Sequence, residues 1–141
     1  MKVLMVEPEK EPYEKEISEL ADMQDLVGGL IQPIYPFAES ACLVCNDTGK
    51  MMNLPMNRAL YDENGRLYDI VCGNFFICGL GEEDFVSLPP DLMEKYKEQF
   101  LSPEMFKYIG GRIQPVKVTK EYIQSLNNQQ ERVENPDIEA R

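Results

Sequence analysis

A succession of short β-prone runs, broken by strong turns, constrains this chain more than any other feature of its sequence. Residues 30–37, 41–45, 59–61, 66–72 and 74–80 are β-prone runs that read as short strands. Asn46-Asp47-Thr48-Gly49 and Asp62-Glu63-Asn64-Gly65 punctuate them, and the second turn ends in the Asn-Gly pair that favours tight hairpins. Pro33 and Pro36 confine the first run to an edge or irregular strand. Leu54-Pro55-Met56-Asn57-Arg58 reads as a loop, and Gly73 marks a bulge, a bend or a close backbone approach.

The flanks add helices. Residues 3–6 read as a strand, and Tyr13, Lys15 and Ile17, alternating with Glu14 and Glu16, as a second strand returning antiparallel beside it. Ser18 is placed to cap a helix whose apolar stripe is Leu20, Met23, Leu26, Val27 and Leu30, and Gly28-Gly29 stops it. Pro89-Pro90 opens another helix that buries Leu92, Tyr96 and Phe100. Ser102-Pro103 reads as the start of a further helical turn carrying Met105, Phe106 and Ile109. Thr119 caps a short helix to Leu126, and the polar residues from Asn127 onward suggest a frayed tail.

These elements predict an α+β fold: an antiparallel or mixed sheet of about five to seven short strands, with one N-terminal helix and C-terminal helices packed on it. Residues 1–109 form the expected domain, and residues 110–141 an extension. One echo stands out. Gly28-Gly29-Leu30-Ile31-Gln32-Pro33 matches Gly110-Gly111-Arg112-Ile113-Gln114-Pro115, each copy read as following a helix and entering a strand. A Gly-Gly stop reached twice explains it more simply than duplication.

Charge and composition narrow the function. A net charge of −11 over 141 residues repels phosphate backbones and anionic membrane surfaces, so direct nucleic-acid and membrane binding are not expected. The simplest role for that charge is solvation. No run of about 18 apolar residues is present, and the N-terminus turns acidic too early for a signal peptide, so the expected location is cytoplasmic. Histidine is absent, which excludes His-containing catalytic triads. Cys42 and Cys45 have C-x-x-C spacing, but in a β-prone run residues three apart point to opposite faces. Cys72 and Cys78 straddle Gly73-Asn74. Buried free thiols are therefore expected, with no metal site and no cofactor.

The candidate site residues are Asn57, Arg58, Asp69 and Gly73. An acid inside a β-prone run needs a partner if it faces inward, and the planar fork of Arg58 suits a carboxylate. The leading expectation is an Arg58–Asp69 pair that locks the central loop against the sheet. The alternatives are a polar patch presenting Asn57 and Arg58 to a ligand, and catalysis by Asp69.

Several stretches resemble an uncharacterised bacterial and phage family, number 3846 in the domain-of-unknown-function series. They are Val6-Glu7-Pro8-x-Lys10-Glu11-Pro12-Tyr13, Leu26-Val27-Gly28-Gly29, Leu54-Pro55-x-Asn57-Arg58-Ala59-Leu60, and Tyr68-Asp69-Ile70-x-x-Gly73-x-Phe75-Phe76-Ile77-x-Gly79. The resemblance runs from Met1 to about Phe106 and implies a product of phages, plasmids or conjugative elements, with no activity to carry over. The expected function is a binding module with a protein partner and no catalytic activity. A DNA-mimic inhibitor of a host nucleic-acid-binding protein is the first alternative, and a histidine-free enzyme using Arg58, Asp69 or a cysteine the second.

Overall fold

Three strands whose sequences read as unbroken apolar runs form the centre of the molecule. In a computed structural model, which describes residues 1–134, the order is β1 (Lys2–Val6), β2 (Tyr13–Glu16), α1 (Leu20–Val27), β3 (Ile31–Ile34), β4 (Ala41–Asn46), β5 (Met56–Tyr61), β6 (Leu67–Cys72), β7 (Phe75–Leu80), β8 (Phe85–Val86), α2 (Pro90–Gln99), β9 (Glu104–Ile109), β10 (Arg112–Lys117) and α3 (Lys120–Glu134). The main sheet runs β2-β1-β7-β4-β3, all antiparallel, with β8 added to β7. β1, β7 and β4 are covered on both faces, which is why they do not alternate polar with apolar. Leu4, Val6, Leu43, Phe75 and Ile77 face one core, which is closed by Met93, Tyr96 and Phe100 from the second helical segment and by Leu60 and Val71 from β5 and β6. Val3, Met5, Cys42, Val44, Phe76 and Cys78 face the other, closed by Val27, Met23 and Leu26 of α1. Cys42 and Cys45 lie in opposite cores, as a three-residue offset in a strand dictates. All four cysteines are free thiols.

The expected α+β class and the β1–β2 hairpin are present. Among the described residues ten strands form, somewhat more than the five to seven expected. The outer strands suit their positions: β2 carries exposed Glu14, Lys15 and Glu16, and β3 carries Pro33. The cap of α1 is one residue later than Ser18. Glu19 is the N-cap, and the Asp22 carboxylate accepts the main-chain N–H of Ser18 at 2.8 Å and of Glu19 at 3.0 Å. Leu20 and Leu30 drop out of the apolar stripe and are exposed.

Two expectations near the C-terminus are overturned. Residues 104–109 form β9, not a helical turn, because each residue pairs across a hairpin with β10, from Glu104↔Lys117 to Ile109↔Arg112. Residues 127–134, read as frayed tail, continue α3, whose start is held by the Thr119 hydroxyl accepting the Tyr122 N–H at 3.0 Å. Low apolar content denies that segment a core, but it does not prevent a helix that Ile123 has already docked. The remainder of the expected tail, residues 135–141, lies outside the described residues. Among the described residues no helix is long and apolar enough to cross a membrane.

The two Gly-Gly strings do different work. Gly28 ends α1 in the left-handed region (φ 78°), whereas Gly110 (φ 61°) and Gly111 (φ 78°) are the two-residue turn of the β9–β10 hairpin. Gly29 is small for another reason. A Cβ there would lie 2.9 Å from Asn46 Nδ2, a buried amide that donates to Val27 O at 3.0 Å. Gly29→Ala is therefore expected to lower stability by about 1–2 kcal/mol through loss of that bond. Gly111→Asn, in open space and in a conformation that asparagine tolerates, should cost less than about 0.5 kcal/mol. Urea unfolding of the two variants checks the ordering.

Candidate functional site: a groove between two β-ribbons

Asn57 and Arg58 lie in strand β5, not in a loop, and neither has exposed surface. The Asn57 amide donates from Nδ2 to Val6 O at 3.0 Å and to Gly73 O at 2.9 Å, and its Oδ1 accepts from Arg58 Nη1 at 2.9 Å. Arg58 donates from Nε and Nη2 to Phe100 O (3.2 and 3.1 Å), from Nη2 to Lys10 O (2.6 Å), and from Nη1 to Asn57 O (3.2 Å). Its acceptors are carbonyls and one amide. Among the described residues it forms no ion pair. Burial lowers its pKa from 12.5 to about 10, which leaves it charged at neutral pH. Phe100 O sits at the C-terminal end of α2, where a cation is favourably placed.

The expected Arg58–Asp69 pair is thus absent. In the β5–β6 ladder Arg58 lies opposite Val71, and Asp69 opposite Leu60. Asp69 accepts from Lys50 Nζ and from the Ile70 N–H (2.8 Å), and it is partly exposed. Of the alternatives its position suggested, Gly73 is the bend, with the Leu54 side chain packed close against it. Its φ is 85°, and a Cβ would lie 2.8 Å from Leu54 Cδ1. It forms the corner where the chain leaves β6 for β7, with its N–H donating to Pro55 O at 2.7 Å. Arg58→Ala leaves buried carbonyls of Phe100 and Lys10 without donors and opens a cavity, so a loss of about 3 kcal/mol or more is expected. Arg58→Lys should recover only part of it, because an ammonium carries three donors and no planar fork. Calorimetry or urea unfolding decides, and an unchanged midpoint for Arg58→Ala would refute this account.

What Asn57 and Arg58 fix in place is a β5–β6 ribbon whose far side borders an open groove of about 1090 Å³. Its walls come from β6 (Arg66 just before the strand, then Leu67 to Ile70 and Cys72), from Lys50, Asn53 and Leu54 of the preceding loop, and from Arg112 and Ile113 of β10. A smaller hollow of about 410 Å³ shares Lys50, Asp69, Ile70 and Cys72, so the Lys50–Asp69 ion pair stands on the wall between them. Of the four sequence candidates only Asp69 reaches the groove. Arg66, Tyr68, Lys50 and Arg112 were missed, because an exposed arginine or tyrosine in a β-prone run carries no mark that separates it from ordinary surface.

The second ribbon is held to the first by Glu104. This residue is buried, and its Oε1 accepts the Ala59 N–H at 3.1 Å. Burial raises the Glu104 pKa above 4.5, against smaller opposing effects from the Ala59 N–H, Arg58 and Lys117. The folded protein therefore binds this proton more tightly than the unfolded chain does. The stability it adds is fully present below pH 4.5 and is lost as pH rises through the raised folded value. Glu104→Gln keeps an acceptor for Ala59 without the charge. It is expected to flatten that part of the pH–stability curve and to match or exceed the wild type at pH 7, as measured by urea unfolding from pH 4.5 to 7.

The fold and this groove define a small α+β protein with a ribbon-lined cleft. The model of the family described as Domain of unknown function (DUF3846) matches residues 1–101, and the chain belongs to that family. No curated protein and no solved structure matches it. The matched residues end just past α2, so the β6 wall of the groove falls within them, and the β10 wall falls outside.

Proposed function

We propose that the protein is a non-catalytic binding module of a phage or conjugative element, and that it recognises a protein partner through the groove between β6 and β10. The observation that carries this reading is an open groove with an apolar floor and a cationic rim on a chain of net charge −11. Leu54, Met56 and Ile70 supply apolar surface, and Arg66 and Arg112 the charge. Leu67 and Tyr68 line the groove with exposed apolar surface, and exposed Met51 lines the adjoining hollow; exposed apolar surface gathered in this way marks an interaction site more often than it marks idle surface. Met56 in the groove and Met51 in the adjoining hollow would allow packing against more than one shape. The mobile-element setting rests on the family resemblance.

The two alternatives are weaker. A DNA mimic needs its carboxylates free and aligned on one face. In the densest acidic stretch, however, Glu7, Glu11, Glu14 and Glu16 are each ion-paired, with Lys10, Lys120, Lys2 and Lys97, and the N-terminus respectively. For an enzyme, the groove offers poorly activated groups. Asp69 is tied to Lys50, and burial pushes the pKa values of Tyr68 and Cys72 up, away from their reactive anions. Capture from host lysate tests the favoured reading. A partner retained by the wild type should be lost with Tyr68→Glu or Leu67→Glu and kept with Lys15→Glu on the distant β2 edge. Equal recovery by all of these would overturn the groove as the recognition face.

A further inference from the structure

We infer that the occupant of the groove is an extended, acidic peptide segment, anchored by Arg66 and Arg112. This inference rests on the groove being the recognition face and goes further by naming the chemistry it accepts.

Shape is the first argument. The groove follows β6 from Arg66 to Cys72, a length of about 20 Å at roughly 3.3 Å per residue. A volume of about 1090 Å³ over that length gives a mean cross-section of about 50 Å². One extended chain with its side chains, about 4.8 Å by about 10 Å, fills such a section. Among the described residues β6 pairs only with β5, and β10 only with β9, so each wall strand has an edge without a strand partner. That arrangement suits a ligand lying parallel to the strands.

Charge is the second. Arg66 and Arg112 are the exposed arginines among residues with described side chains, and both line this groove. Neither forms an ion pair with a described residue, whereas the charge of Lys50 is met by Asp69. At physiological salt the Debye length is about 8 Å, so most of the net −11 is screened from a ligand inside the groove; nearby, the Asp62 carboxylate accepts the main-chain N–H of Arg66 at 2.9 Å and Asp69 is met by Lys50. Planar guanidinium groups suit carboxylates in particular. Leu54, Met56 and Ile70 between them call for apolar side chains alternating with the acidic ones. A single-stranded nucleic acid fits less well. Tyr68 is the one aromatic side chain lining the groove, where base stacking wants several, and a longer strand would have to cross acidic surface.

The test is selection of phage-displayed random octapeptides on the full chain, followed by fluorescence anisotropy of the enriched peptides and of a fluorescein-labelled dodecathymidylate. Enrichment of peptides alternating Asp or Glu with apolar residues is expected. Arg66→Glu and Arg112→Glu, both at exposed positions, should each weaken binding about tenfold or more while leaving the melting temperature unchanged. Three outcomes overturn the inference: no enrichment, tighter binding of the oligonucleotide than of any peptide, or enriched peptides that lack acids. If peptides lacking acids lose binding with Tyr68→Ala, the groove reading survives and only the acidic occupant falls. Peptides that bind Tyr68→Ala, Arg66→Glu and Arg112→Glu as well as the wild type would refute both.

Discussion

The architecture turns on one buried cation, Arg58, that forms no ion pair among the described residues. Moving a guanidinium out of water costs several kcal/mol, and an ion pair is the usual compensation. Here the compensation comes from main-chain carbonyls and one amide, and together they accept from Nε, Nη1 and Nη2 of Arg58. The acceptors belong to segments far apart in sequence: Lys10 in the loop after β1, Asn57 itself, and Phe100 at the end of α2. Asn57 extends the node to Val6 and Gly73. A Lys–carboxylate pair could supply charge balance, but it could not span so many acceptors with fixed directions. The node therefore acts as a spacer of defined shape between the main sheet, α2 and the β5–β6 ribbon, and the position of the groove follows from it.

Much of the fold was legible because its strongest signals are local. The apolar runs of β1, β4 and β7, the Asn64-Gly65 turn, the Pro90 start of α2 and the Gly28 stop of α1 each reflect a backbone preference that tertiary packing did not oppose. The failures occurred where two readings shared one pattern. Met105, Phe106 and Ile109 have helical spacing, and only the full cross-strand register with β10 makes them a strand. The repeated Gly-Gly-x-Ile-Gln-Pro string shows the limit clearly. Gly28-Gly29 follows a helix and Gly110-Gly111 joins two strands, so identical local chemistry was resolved by what came before it.

The site was less legible, for a different reason. Residue type marked Arg58 and Asp69; the structure buries Arg58 among main-chain carbonyls and pairs a partly exposed Asp69 with Lys50. Type could not say that the two lie off each other's rung in a bulged ladder, or that Asp69 turns to Lys50 in a loop 19 residues earlier. Asn57 and Arg58, which one alternative presented to a ligand, are buried and hydrogen-bonded. The groove residues had the opposite problem, since exposed Arg66, Tyr68 and Arg112 gain meaning only when the two ribbons converge.

A buried carboxyl contributes to that convergence. Glu104 closes the ribbons by accepting the Ala59 N–H, and its burial makes the closing bond sensitive to protonation. The wall that β10 contributes therefore hangs on the same buried region as Arg58, whose charge partly offsets the penalty of burying Glu104. Residues 1–101 carry the family match and supply the node and the β6 wall, while Glu104, Arg112 and Ile113 lie beyond it. In this chain the matched region supplies the seat, and the segment that follows closes one side of the cleft. An occupant of the proposed groove would touch Arg66 within the matched residues and Arg112 beyond them.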